Sequence, residues 1–190
     1  MQFLMAWSIP IMWAIFGAYW LFAASRARAT QRAETRGSRW THLALIVSAF
    51  ALIITGGLSI GPLARNILPQ SNAVQVIGII VTALGLLLAI WARVHLGRYW
   101  SGTIAIKQDH RLIRTGPYAW VRHPIYTGLL VGMAGTAIAV GEVSGLLATV
   151  LIFIAYYRKI RIEERFLVEQ FGPEYVQYQH EVKALVPLVV

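Results

Sequence analysis

The chemistry-bearing residues of this 190-residue chain crowd into two stretches. The first, GPYAWVRHPIYTG from Gly116 to Gly128, sets Arg122, His123 and Tyr126 around Pro124. The second, YRKIRIEERFLVEQF from Tyr157, carries Glu163 and Glu164 among four basic residues and an apolar set. Proline suits the first position of a helix, where its missing N–H costs nothing. It also disfavours the helical conformation of the residue before it, so His123 is expected extended at the mouth of a helix. Two chemistries fit that mouth. One is interfacial anchoring, with Arg122 reaching to headgroups and Tyr126 in an aromatic belt. The other is a helix N-terminus whose unpaired N–H groups and positive dipole end receive an anionic group of a ligand.

The second stretch, taken as a helix, sorts its residues by face. At about 100° per residue, Ile160, Leu167 and Phe171 form one apolar stripe, flanked by Glu163 and Glu164. Arg158, Arg161 and Arg165 point away, toward solvent or headgroups. Burying a carboxylate without a partner costs several kcal/mol, so a cationic or hydroxyl-rich group should meet the two glutamates. An ion pair with Arg122 or Arg114 would serve. So would a ligand carrying positive charge and ribose hydroxyls.

The elements that must hold these residues lie in a membrane. Apolar residues make up 57% and charged ones 13%, with mean hydropathy +0.60, outside the soluble globular norm. Phe3–Ala24, His42–Gly61 and Ala73–Ala92 contain no Asp, Glu, Lys or Arg, and each has about the 20 residues a membrane-crossing helix needs. Pro124–Tyr157 is too long for one span and is broken at Gly141-Glu142, which predicts a helical hairpin turning at Val140–Ser144. The expectation is an all-α integral membrane protein with five transmembrane helices, helices four and five forming the hairpin. No positive charge precedes the first apolar stretch, so it reads as a retained helix rather than a signal peptide. With the N-terminus outside, 16 of the 17 Lys and Arg residues fall on one side, which marks that side as cytoplasmic. The net charge of +9 then faces anionic lipid and needs no nucleic acid. Trp40, Trp91, Trp100 and Trp120 stand near the same helix ends. Ser71 or Asn72 is expected to cap helix three. Gly56, Gly57, Gly78 and Gly85, with the Gly128–Gly132 pair of helix four, predict close helix packing. Absence of cysteine excludes disulfides and thiolate chemistry, and no ligand cluster for a metal is present. Residues 1–190 read as one domain, with 1–92 a three-helix scaffold and 93–190 the chemically active part.

The stretch HRLIRTGPYAWVRHPIYTG, followed about 35 residues later by RIEERFLVEQFGPEYVQYQHEVKALVPLV, resembles the isoprenylcysteine carboxyl methyltransferase family, within the wider phospholipid and small-thiol methyltransferase group. The likeness runs from about Gly97 to the C-terminus. It rests on R-H-P-x-Y-x-G and E-E-x-x-L-x-x-x-F-G-x-E-Y, in that order and flanking a helical hairpin. The resemblance implies a membrane enzyme using S-adenosylmethionine, with a cytoplasmic cofactor pocket closed by a C-terminal amphipathic helix and a lipophilic substrate arriving from the bilayer. Carried over by residue, cofactor contacts fall on His110, Arg111, Leu112 and Ile113, on Tyr118, on His123, Pro124, Ile125 and Tyr126, and on Glu163. Catalytic roles fall on His123, Tyr126 and Glu164, and substrate contacts on Lys159 and Arg122.

Lys159 is itself a departure. The family has an arginine there, four residues before the first matched glutamate, and lysine brings charge without the bidentate fork. That difference bears on the substrate, not the reaction type. A prenylcysteine-like carboxylate leads as acceptor and, being ionised at neutral pH, needs no general base. A small thiol or a lipid amine would need one, and His123 is the first candidate. A nicotinamide-dependent membrane reductase of sterol-reductase type is the alternative enzyme class, and a non-catalytic membrane protein keeping the fold is a third reading.

Overall fold

The computed structural model describes residues 2–24, 32–33, 35–57, 61–97, 100, 105–106 and 112–187. Six helices carry the fold: α1 (Gln2–Ala24), α2 (Arg36–Gly57), α3 (Asn72–Leu96), α4 (Pro124–Val140), α5 (Val143–Phe171) and α6 (Pro173–Glu181). A two-residue antiparallel pair, β1 (Arg32–Ala33) with β2 (Ala105–Ile106), is the only strand structure among the described residues. Four helices, α1, α2, α3 and α5, are long and apolar enough to cross a membrane. The fifth expected span, α4, has 17 residues, about 26 Å at 1.5 Å each. The protein is thus an integral membrane protein by the length and apolarity of its helices.

The helices outrun the charge-free stretches at their polar ends. The helix α2 begins at Arg36, not His42, with Thr35 Oγ1 accepting from the Ser38 N–H at 3.3 Å. The helix α3 starts at Asn72, where Ser71 caps it by accepting from Val74 N–H, and continues through Arg93 and His95. Charged side chains end an apolar window without ending a helix, since the backbone bonds are indifferent to them. For the same reason 158–171 is no separate helix but the projecting end of α5. Gly172, at φ 55°, breaks the chain into α6.

The centre of the fold is the α3–α4 contact. A β-carbon on Gly78 would lie within the Ala139 backbone, and one on Gly85 within the backbones of Gly128 and Gly132. Gly128 faces Ala89, and Gly135 faces Thr82, in the same antiparallel register. Small residues let two backbones approach where side chains would hold them apart. Thr82 and Thr136 meet at 3.4 Å within this seam while each returns a hydrogen bond to its own helix. The Trp13 indole donates to Thr136 at 3.0 Å and ties α1 to the seam. On the other flank, Ala49 of α2 packs with Ala148, Ile152 and Tyr156 of α5.

The two ends of the bundle differ. At one, Ile67 and Leu68 N–H both reach the Gly141 carbonyl, Val143 N–H reaches Arg65, and Gly141 takes a left-handed φ of 70° in the α4–α5 turn. At the other, Arg93 donates to the Ala23 and Gly97 carbonyls, each at 2.9 Å, and lies 4.1 Å over Trp100. Arg158 holds the start of α2 through Ser38 O and Oγ. That last contact corrects the expected outward orientation of Arg158. Arg161 and Arg165 are exposed as expected.

Candidate functional site

The approach to α4 is built as a rigid lip. Gly116 turns at φ 59° into a 3₁₀ turn over Gly116–Ala119. Tyr118 packs behind that turn, its ring on His95 and its hydroxyl toward the Ala92 carbonyl at 3.4 Å. His95 in turn bonds Thr115 Oγ1 at 2.9 Å. His123 is non-helical, at φ −124° and ψ 59°, and Pro124 opens α4. The proline effect expected at this junction holds.

The chain's tail docks on the same lip. Arg122 N–H donates to the Lys183 carbonyl at 2.8 Å and His123 N–H to Ala184 at 3.0 Å. Thr127 Oγ1 donates to the Leu185 carbonyl at 2.8 Å. These bonds settle the N–H groups before the proline and leave those after it. Among the described residues, the first-turn N–H groups of Ile125 and Tyr126 have no hydrogen-bond partner, as a helix start requires unless a side chain or ligand supplies one.

The α5 extension brings its two glutamates to this lip, and they have different fates. Glu164 is buried. Its Oε1 accepts from Arg122 Nε at 2.8 Å and lies 3.2 Å from His123 Nε2, and its Oε2 accepts from Gln179 Nε2 at 3.2 Å. Arg122 then spends Nη1 on the Gln179 and Val182 carbonyls. The ion pair with Arg122 is therefore one of the two partnerships the sequence left open. Glu163 is about one-third exposed, 31% by side chain. Its Oε2 accepts from the Tyr126 hydroxyl at 2.8 Å, with His123 Nδ1 at 4.0 Å.

Rings stack beside Glu163. His123 stacks on Tyr126 with centroids 5.7 Å apart, and Tyr126 on Tyr156 at 5.0 Å. Lys159 Nζ stands 5.9 Å above the Tyr126 ring. On the tail side, the Tyr178 hydroxyl donates to the Tyr118 carbonyl, and burial pushes its pKa up to about 12, so it stays a donor. Arg114 pairs with Glu181 and covers the Tyr178 ring at 5.1 Å.

The structure thus brings together His123, Pro124, Ile125, Tyr126, Glu163, Glu164, Lys159 and Arg122 from the two motifs. Tyr118 is core, 7% exposed, and Ile113 packs on the same small cluster with Trp100 and Ile125. Leu112 is half-buried, and His110 and Arg111 lie outside the described residues. Sequence reasoning missed the docking of Lys183–Leu185, the brace of Gln179 on Glu164, and His95 behind the lip. The only forward signal for the first was the apolar run ALVPLV after a charged helix. Among the described residues no group of His, Asp and Glu could hold a metal ion.

A family model described as phospholipid methyltransferase matches residues 74–174, a span that holds both motifs. The chain is similar to the protein-S-isoprenylcysteine O-methyltransferase of Schizosaccharomyces pombe, 32% identical over 157 residues, covering 77% of this chain and 66% of that protein. It is also similar to the Saccharomyces cerevisiae enzyme of the same name, 30% identical over 117 residues, 60% of this chain and 49% of that one. The chain thus spans about half to two-thirds of the length of these curated relatives. A solved structure of the eukaryotic intramembrane Ras methyltransferase ICMT (isoprenylcysteine carboxyl methyltransferase) superposes with TM-score 0.60 at 24% identity, over 82% of this chain and 55% of that one. That likeness shows the fold.

Proposed function

Since the chain belongs to the phospholipid methyltransferase family, we propose that it is a methyltransferase that uses S-adenosylmethionine on a lipophilic acceptor at the membrane. The observation that carries this reading is the 2.8 Å bond from Tyr126 to Glu163. It joins the two motifs within one helical turn of the unpaired Ile125 and Tyr126 N–H groups.

The donor set suits that cofactor. A carboxylate on the ligand fits the two free N–H groups at the positive end of α4. Glu163, partly exposed and bonded to the protein through one oxygen, fits ribose hydroxyls or an ammonium group. The Tyr126 ring, already facing Lys159, offers a π-face to a cationic centre. Bound S-adenosylmethionine supplies an activated methyl group, so the chain's residues need only orient both partners and exclude water. Arg122 and Glu164, spent on each other and on the tail, serve as positioning residues.

His123 braces the lip through Nε2, 3.2 Å from Glu164 Oε1, while its Nδ1 lies 4.0 Å from Glu163. An acceptor already ionised at neutral pH fits best, a prenylcysteine-like carboxylate with Lys159 as its counter-ion. The 17-residue α4 serves as a fifth, short span. The N-terminus then lies outside and the site on the cytoplasmic face, where 16 of 17 cations gather.

The test is methyl transfer by the full chain in detergent, with S-adenosylmethionine carrying a labelled methyl group. Offered a prenylated cysteine, small thiols and lipid amines, the protein is expected to label the prenylated cysteine as a base-labile ester. Label on thiol or amine alone would replace the acceptor and return His123 to the role of base. Binding of NADPH with no binding of S-adenosylmethionine would overturn the whole reading.

A further inference from the structure

Tyr175, near the start of α6, is 1% exposed, and its hydroxyl is enclosed with no hydrogen-bond partner among the described residues. Three residues on, Tyr178 makes the contrast: equally enclosed, it donates to the Tyr118 carbonyl. A buried hydroxyl without a partner costs free energy that phenylalanine would avoid, so a tyrosine here calls for a use. Burial pushes its phenol above the ordinary range, Glu164 and Glu163 push it further, and Arg122 pulls the other way. At neutral pH the group is therefore a proton donor.

Its place in the fold points the same way. Residues four apart share a helix face, and Gln179 on that face of α6 donates to Glu164 Oε2 at 3.2 Å while its carbonyl accepts from Arg122 at 3.1 Å. Gln179 and the tail bonds hold α6 over the carboxylates. Tyr175 closes the second motif but takes no part in the hydrogen bonds described above, and its ring is fixed edge-on against Tyr178 at 5.9 Å. It is a buried donor on the helix that braces Glu164.

We propose that the Tyr175 hydroxyl is a further ligand contact, donating a hydrogen bond to an oxygen or ring nitrogen of the nucleoside part of S-adenosylmethionine. The inference rests on the cofactor reading above and adds α6 to the elements that touch the ligand. A tyrosine that merely packs, or whose hydroxyl pairs within the protein, predicts different behaviour.

The full chain in detergent is compared as wild type, Tyr175→Phe and Tyr178→Phe, reading the thermal midpoint without ligand and the affinity for S-adenosylhomocysteine. Tyr175→Phe is expected to keep or raise the unliganded midpoint while weakening binding about threefold to tenfold, the range of one neutral hydrogen bond. Tyr178→Phe, which loses its bond to the Tyr118 carbonyl, is expected to lower the midpoint. Unchanged affinity in Tyr175→Phe overturns the inference. So does a lowered midpoint or loss of folding in that variant, which assigns the hydroxyl to a protein partner. If the wild type itself binds neither S-adenosylmethionine nor its demethylated product, the cofactor reading fails first and takes this inference with it.

Discussion

Two adjacent glutamates show how neighbours in sequence part company in chemistry. Glu163 and Glu164 flank the same apolar stripe, and helical phase alone put both at the buried face. It could not say which would be neutralised by protein, because Arg122 lies 42 residues away in sequence and Gln179 sits on a separate helix. The Arg122–Glu164 pair is nearly enclosed, with side chains 10% and 11% exposed. Removing one partner of such a pair leaves an uncompensated charge and costs about 3–5 kcal/mol. Arg122→Ala is therefore expected to lower the thermal midpoint in detergent sharply, with Arg122→Lys recovering part of the loss. A wild-type midpoint in Arg122→Ala would show that the pair does not hold the lip. The same cluster holds His123 through Nε2, 3.2 Å from Glu164 Oε1, with Nδ1 4.0 Å from Glu163.

At the scale of elements, the legible features were those that depend on nearby residues. The proline at the mouth of α4, the Ser71 cap of α3 and the small residues of the seam could each be read locally. Helix ends were misjudged wherever a charged residue closed an apolar window, since α2 and α3 continue through arginines. The tail bonds could not be read, because extended segments that pair through backbone groups leave little trace in side-chain pattern. The seam itself yields a test. A methyl group on Gly85 would meet the Gly128 carbonyl and the Gly132 backbone, and packed backbone cannot swing aside as a side chain can. Gly85→Ala is expected to destabilise by at least the ~1–3 kcal/mol typical of overpacking. Gly17→Ala, in α1 with open space around it, should stay within about 0.5 kcal/mol of wild type. Thermal unfolding of the two variants side by side checks it, and equal midpoints would contradict the seam.

For the whole molecule, composition carried the solvent, and charge asymmetry carried an orientation; neither could show that the fourth span would be only 17 residues. A short α4 is consistent with its place, since it lies along α3 through the glycine seam and is flanked by α5. Its mouth is where the tail, the α5 extension and the lip converge, three segments spread over the chain's second half. The account's central claim is that these parts close around one molecule of S-adenosylmethionine, with Glu163 in contact and the exposed Arg161 on the same helix not. Equilibrium binding of labelled S-adenosylmethionine to the full chain in detergent tests it most directly. Wild type and Arg161→Gln are predicted to bind saturably and alike, while Glu163→Gln weakens binding by about tenfold or more, ~1.4 kcal/mol at the least. Saturable binding of equal strength in Glu163→Gln, or none in the wild type, would contradict the account.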